Sequence, residues 1–312
     1  MIVVTGSSGY LGSHITKRLA QSGEPVRALV HNRQRAEQEG RLIGLGIEWV
    51  EGDVTQPETL VKAFQGANAI IHTVAIAIEK GVRTYEFINY QGTVNVVNAA
   101  LAVGSRRFIN ICQLGANSQL PYRFLASKGK AQEYVAASSL YWTAFRPSVI
   151  WGPEDEFANT FARLAQITPF IFPIIGGENA LFQPVWVEDV VTCVVKALEN
   201  SGTIGKEYEI GGPEVLTLAE IERRTLEAVG ARRWQVRFPI PVMRLVVSIL
   251  EKLLPAPPVT RSLLELLAIK NVPTQNAISS FVGDPRPFTV ENITPYMRMF
   301  SPSQTLAQFM GK

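Results

Sequence analysis

Cysteine and histidine are scarce in this 312-residue chain, which carries two cysteines, Cys112 and Cys193, and three histidines, His14, His31 and His72. Two cysteines cannot build a disulfide framework, and these lack metal-ligand spacing, so no metal site is expected. Charge is sparse too. Charged residues make up 18% of the chain, against about 25% in a typical soluble domain. The 30 Lys+Arg and 27 Asp+Glu leave a net charge of +3, too weak to indicate a nucleic-acid partner. No apolar run reaches the roughly 18–20 residues of a membrane span. Leu164–Gly177 is uncharged but short and holds Pro169 and Pro173, and Val242–Leu254 is interrupted by Arg244, Glu251 and Lys252. Internal repeats and low-complexity tracts are missing. The sequence opens on a strand-like MIVVTG, so no signal or transit peptide is expected. The expected location is cytoplasmic, at most peripheral to a membrane.

What is present is a core-forming hydrophobic fraction of 46% with a regular texture. Short β-branched runs alternate with amphipathic stretches through the first half. Ile2–Val4, Val26–Val30, Ile47–Val50, Ala69–His72, Arg107–Cys112 and Trp142–Phe145 read as strands. Leu11–Ser22, Phe87–Ala102 and Leu125–Ser138 read as helices, the first with Ile15, Leu19 and Ala20 on one side and Lys17, Arg18 and Gln21 on the other. Strands separated by helices imply right-handed βαβ units and an α/β fold, a Rossmann-type doubly wound parallel sheet. After Arg146-Pro147 the pattern changes. Residues 151–182 hold loops, a helix near Thr160–Gln166 and the run ITPFIFPII; 188–199 is helical; Tyr208–Ile210 is a strand, and Thr217 an N-cap. The expected division is a dinucleotide-binding domain of residues 1–150 plus 183–199, and a small α/β C-terminal substrate or docking domain of 151–182 plus 200–312.

The strongest local motif is Thr5-Gly6-Ser7-Ser8-Gly9-Tyr10-Leu11-Gly12, a G-x-x-G-x-x-G turn between a strand and a helix. Glycines there allow a tight turn and close backbone approach to a pyrophosphate. The helix that follows aims free N–H groups and its positive dipole end at that charge. The second strand ends in Val30-His31-Asn32-Arg33, with Arg35 near and no carboxylate before Glu37. An NAD-selective site places an acid there, whereas a guanidinium suits a 2′-phosphate. NADP(H) is therefore expected over NAD(H), unless Arg33 and Arg35 are only solvated loop charges. Asp53, after the third strand, is either an acceptor for the adenine amino group or a turn aspartate. Val54, Val74, Ala75 and Pro147, at the ends of later strands, complete the expected cofactor contacts. His72 reads equally as a core histidine or a chemical one, and His14 as structural.

Together with the cradle, GDV at 52–54, Asn89-x-x-Gly92-Thr93-x-Asn95, Arg146-Pro147-Ser148, the stretch PVWVEDV and Gly211-Gly212-Pro213 resemble the extended short-chain dehydrogenase/reductases of the NAD-dependent epimerase/dehydratase type. The stretches LGANS, FRPSVIWGPEDEF, QPVWVEDVV and LPAPPVTRSLLELL are similar to the atypical branch that includes the NADPH-binding accessory subunit of respiratory complex I and its bacterial relatives. The resemblance implies a tightly held NADP(H), and a monomer or a homodimer formed through the helices that carry Asn89 and Lys128.

The family also implies a Tyr-x-x-x-Lys helix pair, in which the phenol moves the proton and the lysine binds the nicotinamide ribose. Lys128 fits the lysine position. Four residues earlier stands Phe124, which has no ionisable group, and Tyr122 lies six residues away. Cys112 or Gln113 takes the place of the polarising Ser/Thr. Two functions follow as expectations: an NADP(H)-binding accessory, assembly or redox-sensing module, or an NAD(P)H-dependent oxidoreductase or isomerase that uses Lys128 without a tyrosine acid. The C-terminal stretch bears on the choice. From Arg232 onward the chain holds ten Lys+Arg, four Asp+Glu and ten of its 19 prolines. Val242–Leu254 and Arg261–Ile269 are nearly all apolar around a narrow polar stripe. Such helices either close the small domain or dock, through residues 240–270, on a protein complex or membrane surface. The aromatic and aliphatic residues Phe170, Phe172, Ile174, Ile175 and Phe182 likewise read as a substrate slot or as core.

Overall fold

A computed structural model describes residues 1–168, 170–175, 180–254, 257, 259–260, 264, 270–297, 301, 303, 305, 307 and 310. The chain divides into two compact units, one of residues 1–147, 187–210 and 275–283, the other of 148–186, 211–274 and 284–312.

The first unit is built on a seven-stranded, all-parallel sheet. Its strands are β1 (Ile2–Thr5), β2 (Val26–Val30), β3 (Glu48–Glu51), β4 (Ala69–His72), β5 (Arg107–Ile111), β6 (Tyr141–Pro147) and β11 (Lys206–Ile210), in the order β11-β6-β5-β4-β1-β2-β3. The order reverses between β1 and β4, and a doubly wound sheet binds its ligand at the carboxyl ends of the strands at that point. β1 is buried along its whole length because it lies mid-sheet with both faces covered. Helices α1 (Tyr10–Gln21), α2 (Arg33–Glu39), α3 (Pro57–Phe64), α4 (Gly92–Ala102), α5 (Arg123–Ala137) and α7 (Val187–Glu199) belong to this unit. α1 buries Leu11, Ile15 and Leu19, one stripe at i, i+4 and i+8. α4 is preceded by a π-helical turn, Glu86–Gln91. Leu60, Phe64, Ile70, Val96, Val97 and Phe108 form much of the core on that side of the sheet.

The expected strands and helices of the first half are all present: Val26–Val30 and Ala69–His72 match at both ends, other ends shift by at most two residues, and the helix expected over Phe87–Ala102 begins as the π-helical turn Glu86–Gln91 before α4. The expected domain division is corrected by β11. Lys-Glu-Tyr-Glu-Ile offers few apolar residues, yet it pairs with β6 from Lys206↔Thr143 to Ile210↔Pro147 and so brings residues 200–210 into the sheet unit. Residues 275–283 return to that edge. Ala277 donates its N–H to the Glu209 carbonyl at 2.9 Å, and the Phe281 ring meets Tyr208 and Phe145 edge-on, with centroids 5.1 and 5.4 Å apart.

Glu188 ties α7 to α1. Its Oε1 lies 2.6 Å from His14 Nδ1, and its Oε2 accepts from the Arg18 guanidinium. The His14 hydrogen bond, followed by the attraction of His14 and Arg18, holds the carboxyl below its ordinary value against the opposing effect of partial burial. A depressed folded-state pKa contributes stability above the ordinary carboxylate range that disappears as pH falls through the folded value. Glu188→Gln should therefore lower stability by about 1 kcal/mol at pH 7 and by much less at pH 3, as read from urea midpoints. An equal loss at both pH values would count against the tie.

Among the described residues the second unit contains three two-stranded pairings: β7 (Ile150–Trp151) with β10 (Val185–Trp186), β9 (Leu181–Phe182) with β12 (Leu216–Thr217), and β8 (Ile171–Ile175) with β13 (Trp234–Phe238). The helices described there are α6 (Ala158–Ile167), α8 (Leu218–Ala228), α9 (Ile240–Leu253) and α10 (Val290–Met297). Thr217 caps α8 as expected, in a full capping box with Glu220. Of the residues read as slot or core, Phe172, Ile174 and Phe182 are buried, whereas Phe170 is 75% exposed. The period of two along β8 explains the split, since Phe172 and Ile174 point inward and Ile171 outward. α9 buries Met243 and Val247 and exposes Val242, Leu245, Val246, Ile249 and Leu253. Of the second expected helix, Arg261–Ile269, all but Leu264 lies outside the described residues.

Candidate functional site

A cavity of about 500 Å³ opens at the carboxyl ends of the central strands of the first unit. Gly6, Ser8 and Gly9 form one side, His31, Asp53 and Val54 another, and Val74 and Ala75 a third. Eight of the expected contact residues thus share one wall system. Gly6 turns the chain with φ +73°, which favours glycine. A Cβ on Gly12 would stand 2.1 Å from the Gly6 carbonyl oxygen, and one on Gly9 3.1 Å from the same atom. α1 can approach the loop closely only because these side chains are missing. Gly9 precedes the helix without a side-chain cap, and the first turn of α1 holds no acid. Its free N–H groups and dipole are therefore left for an anion. Thr73 Oγ1 donates to the Thr5 carbonyl at 2.7 Å, and Ser7 Oγ to the Val4 carbonyl at 2.6 Å, which fixes the loop against β4 and β1. Tyr10, Leu11 and Gly12 belong to the helix behind the loop.

Asp53 is a turn aspartate that also faces the cavity. Its Oδ1 accepts the Thr55 N–H at 2.8 Å as a turn aspartate, while its Oδ2 lies 3.1 Å from His31 Nδ1 at the cavity wall. Asn32 caps α2, accepting the Arg35 N–H at 2.7 Å. Arg33 and Arg35 turn to their own helix: Arg33 Nε donates to Glu37 at 2.8 Å and Arg35 Nε to Glu39 at 3.1 Å. The guanidinium that touches the glycine-rich loop is Arg41, whose Nη1 donates to the Ser8 carbonyl at 2.8 Å. No local signal marks it, because the contact joins residues 33 apart. Val82 and Arg83, from the segment after β4 that the sequence reading left unassigned, and Phe87, the first residue of the helix expected over Phe87–Ala102, also line the cavity.

His72 is a core histidine. Thr93 Oγ1 donates to the Asn89 carbonyl at 2.7 Å, so it accepts from His72 Nε2 at 3.0 Å, and His72 Nδ1 in turn accepts from Thr5 Oγ1 at 2.7 Å. That pattern requires a neutral ring. Burial, helped by the charge of Lys128, pushes its pKa down to about 3. Asn89 braces the loop after β4, accepting the Ile76 N–H at 2.8 Å and donating to the Ile76 carbonyl at 3.2 Å. Beside it, Tyr134 Oη donates to Asn98, Phe87 is exposed and Ile88 is buried.

Lys128 is buried, and its Nζ donates to the Ile111 carbonyl at 2.7 Å. Burial lowers its pKa, opposed by Cys112. Cys112 Sγ lies 3.6 Å from the Lys128 carbonyl, and burial raises the thiol pKa, so it remains protonated. Phe124 lies one turn before Lys128 on α5 and meets the Tyr85 ring edge-on at 5.5 Å. Tyr122 precedes the helix as its N-cap, with extended backbone. The Tyr85 hydroxyl donates to the Ala77 carbonyl at 2.7 Å. Pro147 ends β6, and its carbonyl accepts the Leu114 N–H at 3.1 Å.

The glycine cradle and the strand-end cavity fit a nicotinamide dinucleotide, and comparisons with known proteins agree. A family model described as NAD(P)H-binding matches residues 6–166. The chain is 29% identical over 251 residues to the mitochondrial NADH dehydrogenase [ubiquinone] 1 alpha subcomplex subunit 9 of Arabidopsis thaliana, covering 78% of this chain and 62% of that one. It thus spans about three fifths of that relative's length. It is 28% identical over 300 residues to the 2-alkyl-3-oxoalkanoate reductase of Stenotrophomonas maltophilia, covering 85% and 88%. In fold it is similar to the UDP-glucose 4-epimerase of Thermotoga maritima, with a TM-score of 0.72, 17% identity and coverage of 98% and 99%.

Proposed function

The chain belongs to the NAD(P)H-binding family and is an atypical short-chain dehydrogenase/reductase, and from that premise we propose that it is an NADP(H)-binding accessory, assembly or redox-sensing module without a tyrosine acid. The observation that carries this reading is Phe124. It occupies the helical turn before Lys128, where the family's proton donor stands, and a benzyl ring cannot hold or move a proton. The other candidates near the lysine are already engaged. Cys112 is a buried, protonated thiol, and the Tyr85 hydroxyl donates to a backbone carbonyl. When bound, the dinucleotide supplies hydride chemistry. The residues assigned to it are the cradle glycines with Ser8, the wall formed by His31, Asp53 and Val54, and Val74 and Ala75; Lys128 is assigned to the ribose.

A module of this kind needs a seat. No helix among the described residues is long and apolar enough to cross a membrane. The exposed face of α9 repeats at helical spacing, with Val242, Leu245, Val246, Ile249 and Leu253 beside the exposed Arg244 and Lys252. Its composition supports docking on a protein complex or a membrane surface, and a cytoplasmic, peripheral location. The name of the Arabidopsis relative supports the complex.

One observation favours the enzyme reading. Lys128 is a buried amine whose pKa is lowered, and such an amine can serve as an acid–base group. Purified protein loaded with NADPH and offered a panel of carbonyl compounds and quinones separates the two. The module predicts that the cofactor survives purification and that its 340 nm absorbance persists over hours with every compound. Turnover that Lys128→Ala abolishes would overturn it.

A further inference from the structure

We propose that the second unit holds a ligand site of its own, at the corner between α8 and β13, and that it takes an amphipathic anion: a phosphate or carboxylate carried on an aromatic or aliphatic body. A cavity of about 430 Å³ opens there, a volume typical of small-molecule sites. It shares no residue with the dinucleotide cavity. Its backbone is fixed before any ligand arrives. α8 stops on two paired bonds: Ala231 donates its N–H to the Leu226 carbonyl at 2.9 Å, and Gly230, with φ +69°, donates to the Glu227 carbonyl at 3.0 Å. Leu226 and Ala231, joined by that turn, are both part of the lining. Arg233 then pins the corner to the end of α6. Its Nε donates to the Thr168 carbonyl, its Nη2 to the Ala165 carbonyl at 3.1 Å and its Nη1 to the Arg232 carbonyl at 3.0 Å. Three carbonyls occupy this guanidinium, so its role is structural.

The side chains left over are of two kinds. Phe170 and Trp234 are 75% and 78% exposed, the two most exposed aromatic residues among those described, and both line the cavity. The Trp234 N–H donates to the Phe170 carbonyl at 2.9 Å, which keeps the two residues side by side. Beside them are two cations with capacity to spare. Arg232 is exposed, and its guanidinium makes no bond among the described residues. Arg223 reaches only Glu227, at 3.5 Å, and both side chains are exposed. Glu227 also lines the cavity, so three arginines stand against one acid and the lining is positive. Gln235 is a wall and not a donor, because its Nε2 is shared between the Ala219 carbonyl at 3.1 Å and Glu222 at 3.4 Å. A surface arginine alone attracts any anion weakly, and an exposed ring alone attracts any apolar body. One cavity that offers both selects the molecule that has both. The acidic group accepts paired, charge-assisted bonds from the free guanidinium forks, while the body covers the rings and removes their area from water.

1-Naphthyl phosphate, inorganic phosphate and 1-naphthol test the two halves of that recognition. The readout is the indole N–H signal of Trp234 in nitrogen-15-labelled protein, identified by its loss in Trp234→Phe. Naphthyl phosphate should move that signal saturably and bind at least about tenfold more tightly than either of the other probes. Arg232→Ala and Arg223→Ala should each weaken it about three- to tenfold, and Trp234→Ala at least as much. Arg244→Ala removes an exposed cation of the same unit outside the cavity and should leave binding within about twofold of wild type. The three replaced lining residues are exposed, so these variants should fold, and unchanged thermal unfolding checks that they do. Inorganic phosphate binding as tightly as naphthyl phosphate would overturn the proposal, and so would Arg232 and Trp234 variants that bind like wild type. Sedimentation with phosphatidylglycerol and phosphatidylcholine vesicles separates the sources of the anion. Naphthyl phosphate binding without vesicle binding marks a free small molecule. Phosphatidylglycerol binding lost in the same variants marks a lipid headgroup in the same cavity. Vesicle binding that survives those variants, with no naphthyl phosphate binding, would overturn the site and show that a bilayer meets another face.

Discussion

Gly12→Ala should abolish measurable dinucleotide binding, a loss of at least about 100-fold in affinity, and should lower the unfolding temperature as well. The added Cβ would lie 2.1 Å from the Gly6 carbonyl oxygen, 2.8 Å from the Gly6 carbonyl carbon and 2.8 Å from Thr73 Oγ1. The first two are backbone atoms, so no side-chain rotation relieves the clash. Gly6 cannot retreat, because its own Cβ position is bounded by Thr73 Oγ1 at 2.8 Å and the Val74 N–H at 3.3 Å. Thr73 is held in turn by the Thr5 carbonyl. The remaining adjustment is to lift α1 away from the loop. That moves the free N–H groups of its first turn off the position where they meet a phosphate, and those groups supply most of the anion binding. Gly46→Ala is the matched control: nothing lies within 4 Å of its Cβ position and its φ is ordinary, so binding and stability should stay within about 0.5 kcal/mol of wild type. Titration with NADPH and thermal unfolding of both variants check the pair. Gly12→Ala binding within threefold of wild type would show that the cradle is not where the cofactor rests.

That cradle was legible in the sequence because everything it needs is local. A β-branched strand, three glycines at fixed spacing and an amphipathic helix follow one another within 21 residues. The same holds for β4, whose Ala-Ile-Ile-His run matches the structure residue for residue. Legibility failed wherever a residue's role is conferred by something distant. Arg33 sits where an NADP-reading arginine is expected, but Glu37, one turn on, competes for it at 2.8 Å. Arg41 carries no local mark, and its contact with the glycine-rich loop joins residues 33 apart. His72 was ambiguous until Thr5 and Thr93 bracketed it. Tyr208–Ile210 reads as a strand in the sequence, but the two glutamates and single isoleucine of Lys206–Ile210 do not say which sheet it joins, and only its pairing with β6 does. Glu222 is the sharpest case. In the sequence it is one more acid of an amphipathic helix, and in the structure it is completely buried.

Glu222→Gln should stabilise the protein by roughly 3 kcal/mol at pH 8 and change it little at pH 4.5, the reverse of the usual result for a buried polar substitution. Glu222 projects from α8 with 0% exposure. Its Oε2 accepts one long bond from Gln235 Nε2 at 3.4 Å, and its Oε1 has no hydrogen-bond partner among the described residues. Burial pushes its pKa up to about 8 from an ordinary 4.5, only partly opposed by Gln235. The sign follows from proton counting. Between pH 4.5 and 8 the folded chain keeps a proton that the unfolded chain has released, so stability falls as pH rises through that window and levels off above it. Glutamine has nearly the same shape, can still accept from Gln235 and has no proton to lose, so the penalty is absent at every pH. Urea midpoints at pH 5 and pH 8 measure the effect: wild type should lose stability between them more steeply than the variant. Parallel slopes would mean that Glu222 ionises as easily in the folded chain as in the unfolded one. A small polar partner would then have to reach Oε1, and the second unit would be open to water at the point where its core is otherwise closed by Leu218, Ile221 and Leu226.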